Sequence, residues 1–284
     1  MAKKKSKKNA DKKEEKTEEP KPEKITHKKI KVDFWRTSLH GEELGLYQEM
    51  KYQAKTTYFS KSFEIEGVVE VDGEKKFIIA FNKDEWESRT KEDPKTLVLR
   101  LFTIMEEDVG VGSGGNFKGS LELSIAHSLV QSYEVRRPAA VFFMQLPRNV
   151  NFIRIVEGYR LIGTRWSYPL LPEKKDDKLQ MVECRGTIGM GENFNVYMGK
   201  KKIARIDGQR VQKEFEIEIY DEFYANDKEF VRYLMLFGCA CNFIKDTRKM
   251  IKRLYKGMED DGTTEYRPPK REMDLFKNPR LMRK

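Results

Sequence analysis

The residues whose types could do chemistry are few, and their spacing argues against most of it. The run Gly110-Val111-Gly112-Ser113-Gly114-Gly115-Asn116-Phe117-Lys118-Gly119 has the glycine density of a phosphate-cradling loop. Such a loop must open a helix and place Lys directly after Gly with Ser or Thr next. Here Phe117 precedes Lys118, Gly119 follows it, and the next residues, Ser120 to Ile125, alternate like a strand, so the run reads as a flexible loop. The chain has three histidines: His27 in a Lys-rich tail, His40 in a polar loop and His127 after a strand. His127 stands near Ser124 and Ser128, but on an extended chain those offsets do not aim a base at a hydroxyl. Cys239 and Cys241 lie mid-helix in an apolar run, where positions i and i+2 diverge, and no further Cys or His pair completes a zinc set. Asp176-Asp177 and Glu259-Asp260-Asp261 are loop charge without EF-hand spacing. No catalytic residue, metal site or cofactor is expected, and the chain reads as a non-enzyme.

What remains is positive charge. The formal net charge is +10, unevenly distributed. Residues 1–31 carry 13 Lys against 6 acidic residues, 226–256 carry 8 basic against 3 acidic, and the body between them is mildly acidic. A nucleic-acid domain basic throughout would look different, so nucleic acid is a disfavoured partner. Two groups of cations are candidates for an anionic partner. The first is Lys3, Lys4, Lys5, Lys7 and Lys8 of the tail, able to meet any polyanion or to stay merely solvated, since Glu14, Glu15, Glu18 and Glu19 dilute them. The second is Arg248, Lys249, Lys252, Arg253 and Lys256 beside Tyr255, either an anionic-surface contact or a solvated helix end. An acidic membrane lipid and an acidic protein surface of the tubulin kind are the partners to weigh.

The elements that must position these groups follow from periodicity. Residues 1–31 are Lys, Glu and Pro with almost no large apolar side chain before Ile25, so the tail is expected to be disordered. A single domain spans 32–256. Period-two alternation marks strands at Phe63 and Ile65, then across the Asp72-Gly73 turn at Lys76 to Phe81. Thr96 to Met105 is nearly all apolar, as in a strand buried on both faces. Further strands fit Leu121 to Ile125, Ala139 to Leu146, Phe152 to Val156, Tyr159 to Ile162, Leu179 to Cys184, Phe194 to Met198 and Lys202 to Ile206. The clearest is Phe215, Ile217 and Ile219 against Glu214, Glu216 and Glu218. Ten to twelve short strands at regular intervals predict an antiparallel sandwich or closed barrel.

One helix is expected last, over 227–256. Asn226 or Asp227 suits its N-cap and Glu229 its first turn. From Phe230 to Ile244 the residues are apolar nearly all round, as in a helix buried on every side. After Ile244, Met250, Ile251, Leu254 and Tyr255 line one face and the cations the other, with Gly257 at the stop. Beyond it, 257–284 with Pro268-Pro269 and Pro279 reads as an extended tail. The longest nearly apolar run, Tyr233 to Ile244, is too short for a membrane helix. Three cysteines make no disulfide framework and MAKKKSKKNA is no secretory leader, so a cytoplasmic protein, peripheral on a membrane or the cytoskeleton, is expected.

Many short strands followed by one apolar helix resemble the tubby C-terminal-like superfamily, which includes tubby proteins, phospholipid scramblases and LURP-one-related proteins. Phe194-Asn195-Val196-Tyr197-Met198-Gly199-Lys200-Lys201-Lys202-Ile203-Ala204-Arg205-Ile206 is similar to that group's paired strands. Leu234-Met235-Leu236-Phe237-Gly238-Cys239-Ala240-Cys241-Asn242-Phe243-Ile244 resembles the scramblase core helix. The resemblance is best over 151–250. It implies a closed barrel threaded by the helix and a phosphoinositide-containing membrane as partner; a structural place in a cytoskeletal or ciliary assembly is the alternative. The scramblases' acidic calcium segment and cysteine cluster have no counterpart here, and tubby's basic strand positions do not align residue by residue.

Overall fold

The computed structural model describes residues 25–34, 64–82, 85–86, 96–103, 117–147, 149–158, 163–170, 179–187, 193–208, 214–263 and 265–283. The tail lysines 3–8, His40, most of the glycine-rich run, Tyr159 to Ile162 and Asp176-Asp177 lie outside the described residues. Twelve strands form a closed antiparallel barrel: β1 (Lys28–Phe34), β2 (Glu64–Val71), β3 (Glu74–Phe81), β4 (Val98–Thr103), β5 (Phe117–Ser124), β6 (Val141–Gln145), β7 (Ile153–Gly158), β8 (Arg165–Leu170), β9 (Gln180–Gly186), β10 (Phe194–Met198), β11 (Lys201–Gly208) and β12 (Glu214–Ile219). Each strand pairs with its sequence neighbours, and β1 closes the circle on β12 with Ile30 opposite Ile217 and Val32 opposite Phe215. Alternation along every strand sends one set of side chains inward. Inward residues from all twelve strands share one buried cluster.

The helices are α1 (Ile125–Val135), α2 (Glu222–Asn226), α3 (Lys228–Cys241), α4 (Ile244–Asp260) and α5 (Lys270–Lys277), followed by a 3₁₀ turn at Pro279–Arg283. Helix α3 fills the lumen. Asp227 caps it, accepting from the backbone N–H groups of Glu229 and Phe230, and twelve of its fourteen residues are buried. Its fourteen residues span about 21 Å. Phe230, Leu234, Phe237 and Cys241 are fully enclosed and Ile244 nearly so.

Four sequence expectations need correction. The expected single helix over 227–256 is two helices, because the lumen ends at Phe243. That ring packs against Phe34, Phe81 and Trp86, and α4 follows with its apolar side in the same buried cluster. Residues 28–31 are not tail. Ile30 and Val32 are buried, while Lys29 pairs with Glu216 and Lys31 with Glu214 across the β1–β12 seam. Ile125 does not extend a strand but opens α1, whose cap is Ser124. Finally, 257–284 is not an extended tail: α4 runs on to Asp260, and α5 and the 3₁₀ turn lie against the outer wall.

That outer packing explains why β4 to β6 are buried on both faces. Leu275 and Met282 cover Val141 and Phe143. Glu122, facing outward and fully buried, receives Arg100 at 2.5 Å and Arg271 of α5 at 2.7 Å. Burial alone would push its carboxyl up, but the two guanidiniums outweigh that and hold it below the usual carboxylate value. Glu272 accepts from the Ser124 hydroxyl and from the backbone N–H groups of Ile125 and Ala126, so α5 caps α1.

Candidate anionic-surface site

Helix α4 is amphipathic, and its apolar side is already used. Ile244, Met250, Ile251 and Tyr255 are buried against the end of the barrel, and Tyr255 packs edge-on to Tyr133 of α1 with ring centroids 5.2 Å apart. Only the polar side is left for a partner. Lys249, Lys252, Arg253 and Lys256 are all exposed there, as the sequence places them. Lys245 joins them at i, i+4 from Lys249; the candidate set omitted it, although that spacing was the signal. The five cations fall within about 100° of the helix circumference and along about 17 Å of its axis. Among the described residues none of the five has a carboxylate within ion-pair distance.

Arg248 behaves differently. At the edge of the row, its Nε sits 2.9 Å from Glu157 Oε1. Glu157 is buried on β7 and also accepts from the Ala140 N–H. Burial pushes the Glu157 carboxyl up, against the pull of Arg248. Arg248 is thus an anchor of α4 on the barrel and is only half free to meet a ligand.

The start of β1 and the start of α4 lie at opposite ends of α3. The His27 N–H bonds to the Ile219 carbonyl, so β1 begins where β12 ends and α3 enters. Phe34, at the other end of β1, touches Phe243 just before α4. The first described residues therefore lie at the end where α3 enters, one length of α3, ~21 Å, from the start of α4.

The residues weighed for catalysis have structural work. Ser124 Oγ accepts the His127 backbone N–H, and Ser128 Oγ donates to the Ser124 carbonyl while accepting from Val141 N–H. The His127 ring packs edge-on to Phe143. Cys184, Cys239 and Cys241 are buried in the lumen, where burial pushes the Cys184 thiol up to about 12. A thiol held protonated in this way is a poor nucleophile. Among the described residues no helix is long and apolar enough to cross a membrane. Compared with protein families, curated proteins and solved structures, the chain has no match.

Proposed function

We propose that this is a non-enzymatic binding or scaffold protein, built on a tubby-like barrel, that docks on an anionic membrane surface containing phosphoinositides. The observation that carries the reading is the α4 row: five exposed cations against Asp246 and Asp260 beside them, with no ion pair to any of the five among the described residues. A closed barrel around an apolar helix is also the architecture that the tubby-like resemblance implies. Burying the apolar side of α4 fixes the helix, so its cations are presented together with no further backbone ordering.

Magnitudes bear on how the protein binds. A basic residue at an anionic membrane contributes about 1 kcal/mol, so the row supplies about 5 kcal/mol, an affinity between about 1 mM and 1 μM. That suits reversible attachment. The lysines at positions 3–8 strengthen it by acting as a second, tethered contact, since a linked site rebinds at high effective concentration.

Reversing Lys249, Lys252 and Arg253 to Glu tests the proposal by liposome co-sedimentation. The parent should pellet with phosphoinositide-containing vesicles at low salt and progressively less as salt shortens the screening length. The triple variant should lose the vesicles while keeping its circular dichroism spectrum. Unchanged vesicle binding in the folded variant would remove the row as a site. A parent that ignores vesicles but pellets with microtubules would replace the membrane with an acidic protein lattice.

A further inference from the structure

On α1, which packs on α4, and on α5 lie apolar side chains that the fold leaves open. Val130 on α1 is 55% exposed, and Met273 and Phe276 on α5 are 42% and 39% exposed. Scattered surface hydrophobics need no explanation, but these are linked through His127. Phe276 lies 5.3 Å from the His127 ring and packs edge-on to Phe143 and Phe152. His127 and Val130 are one turn apart on α1, as are Met273 and Phe276 on α5, so α1 and α5 together carry one continuous strip. Burial first, then the nearby Arg154, depresses the His127 imidazole, so the positive charge bordering the strip is that of Arg154. The other flank of α1 packs on α4 through Tyr133 and Tyr255. The strip and the basic row therefore sit on neighbouring helices.

Apolar side chains beside a row of cations are what a helical surface offers to the boundary between lipid headgroups and acyl chains. We infer that Val130, Met273 and Phe276 enter the interfacial layer of an anionic bilayer when the α4 row docks on it. This rests on the membrane reading above and adds a hydrophobic contact that salt does not screen. The occupant is lipid, because the cations alongside are complementary to its headgroups and the strip then removes apolar surface from water.

All three native cysteines are buried, so the variant Val130→Cys presents one accessible thiol for an environment-sensitive fluorophore. The labelled full-length protein is mixed with phosphatidylcholine vesicles carrying phosphatidylserine and a small fraction of phosphatidylinositol bisphosphate. Binding is followed separately by sedimentation. The expected result is a blue-shifted emission together with pelleting. A double variant, Val130→Ser with Met273→Gln, avoids the packed Phe276 ring, and its fold is checked by thermal melting. It should lose about tenfold of the binding that persists at high salt, the scale of burying roughly one apolar side chain. Pelleting without a spectral shift overturns the strip and leaves the basic row standing. Absence of pelleting overturns the membrane reading and this inference with it. A shift produced by microtubules and not by vesicles overturns lipid as the occupant.

Discussion

Gly238 faces the barrel wall from the middle of α3. A Cβ there would sit 3.2 Å from Ile217 Cδ1 and 3.8 Å from Val32 Cγ2, so even one added carbon forces the wall to give. Gly238→Leu adds three more carbons in a lumen that is already filled, and overpacking of this kind costs about 1–3 kcal/mol or more. A strongly lowered melting temperature, or no soluble protein, is expected; a Gly238→Leu variant as stable as the parent would be incompatible with a helix threaded through a closed barrel. Glu122 is the matching case among charged residues. With Arg100 fully buried, Glu122→Gln leaves a guanidinium without its counter-charge, at a cost of about 3–5 kcal/mol. The pH dependence follows from the depressed carboxyl. Its stabilisation is fully present above the unfolded value near 4.5 and is lost as pH falls through the lower folded value. The gap in melting temperature between parent and Glu122→Gln should therefore be widest near neutrality and close in acid below pH 4.5. A gap independent of pH would mean that charge is not what Glu122 contributes.

At the scale of elements, α5 is the one whose removal should reveal most. Truncation after Gly262 strips Leu275 and Met282 from Val141 and Phe143, takes Arg271 from Glu122 and uncaps α1. Loss of several kcal/mol is expected, measured by denaturant melts, because each buried apolar side chain alone is worth about 1.5–3 kcal/mol. A truncated chain with parental stability would show that the outer packing is incidental. This element also marks where the sequence stops being legible. Period-two alternation exposed the strands because the inner wall of the barrel is a repeated pattern of one face dry and one wet, as in Glu214–Ile219. The all-round apolar run exposed the buried helix. Neither signal exists for Lys270–Lys277, which is charged on most sides and held by a few specific partners, Glu122 and Ser124, about 150 residues earlier in the chain. The α4 row was legible because amphipathic spacing survives in the sequence. The pairing of Arg248 with Glu157 was not, since nothing local links them. Lys28 to Lys31 misled for a related reason: their lysines resemble the tail in composition, and only the acidic strand β12 across the seam turns them into a wall.

At the scale of the molecule, everything depends on the barrel closing through its first strand. Ile30, Val32 and Phe34 are fully buried and belong to the same cluster as α3. Removing β1 forfeits about 5–9 kcal/mol of apolar burial, which is comparable with the whole stability of a typical domain, about 5–15 kcal/mol. It also opens both β2 and β12 as unpaired edges. The residues before Ile25 carry almost no large apolar side chains, and so cannot contribute burial on that scale. Two N-terminal deletions therefore have opposite expected outcomes. Loss of residues 1–24 should leave the thermal midpoint nearly unchanged while weakening vesicle binding at low salt, because it removes five candidate cations and almost no large apolar side chain. Loss of residues 1–34 should abolish cooperative unfolding or drive aggregation through the exposed edges. A cooperative melt at the parental temperature after the longer deletion would mean that the barrel does not need β1 to close. A large drop after the shorter one would place part of the Lys-rich segment against the folded body, and its lysines would then be structural as Lys29 and Lys31 are.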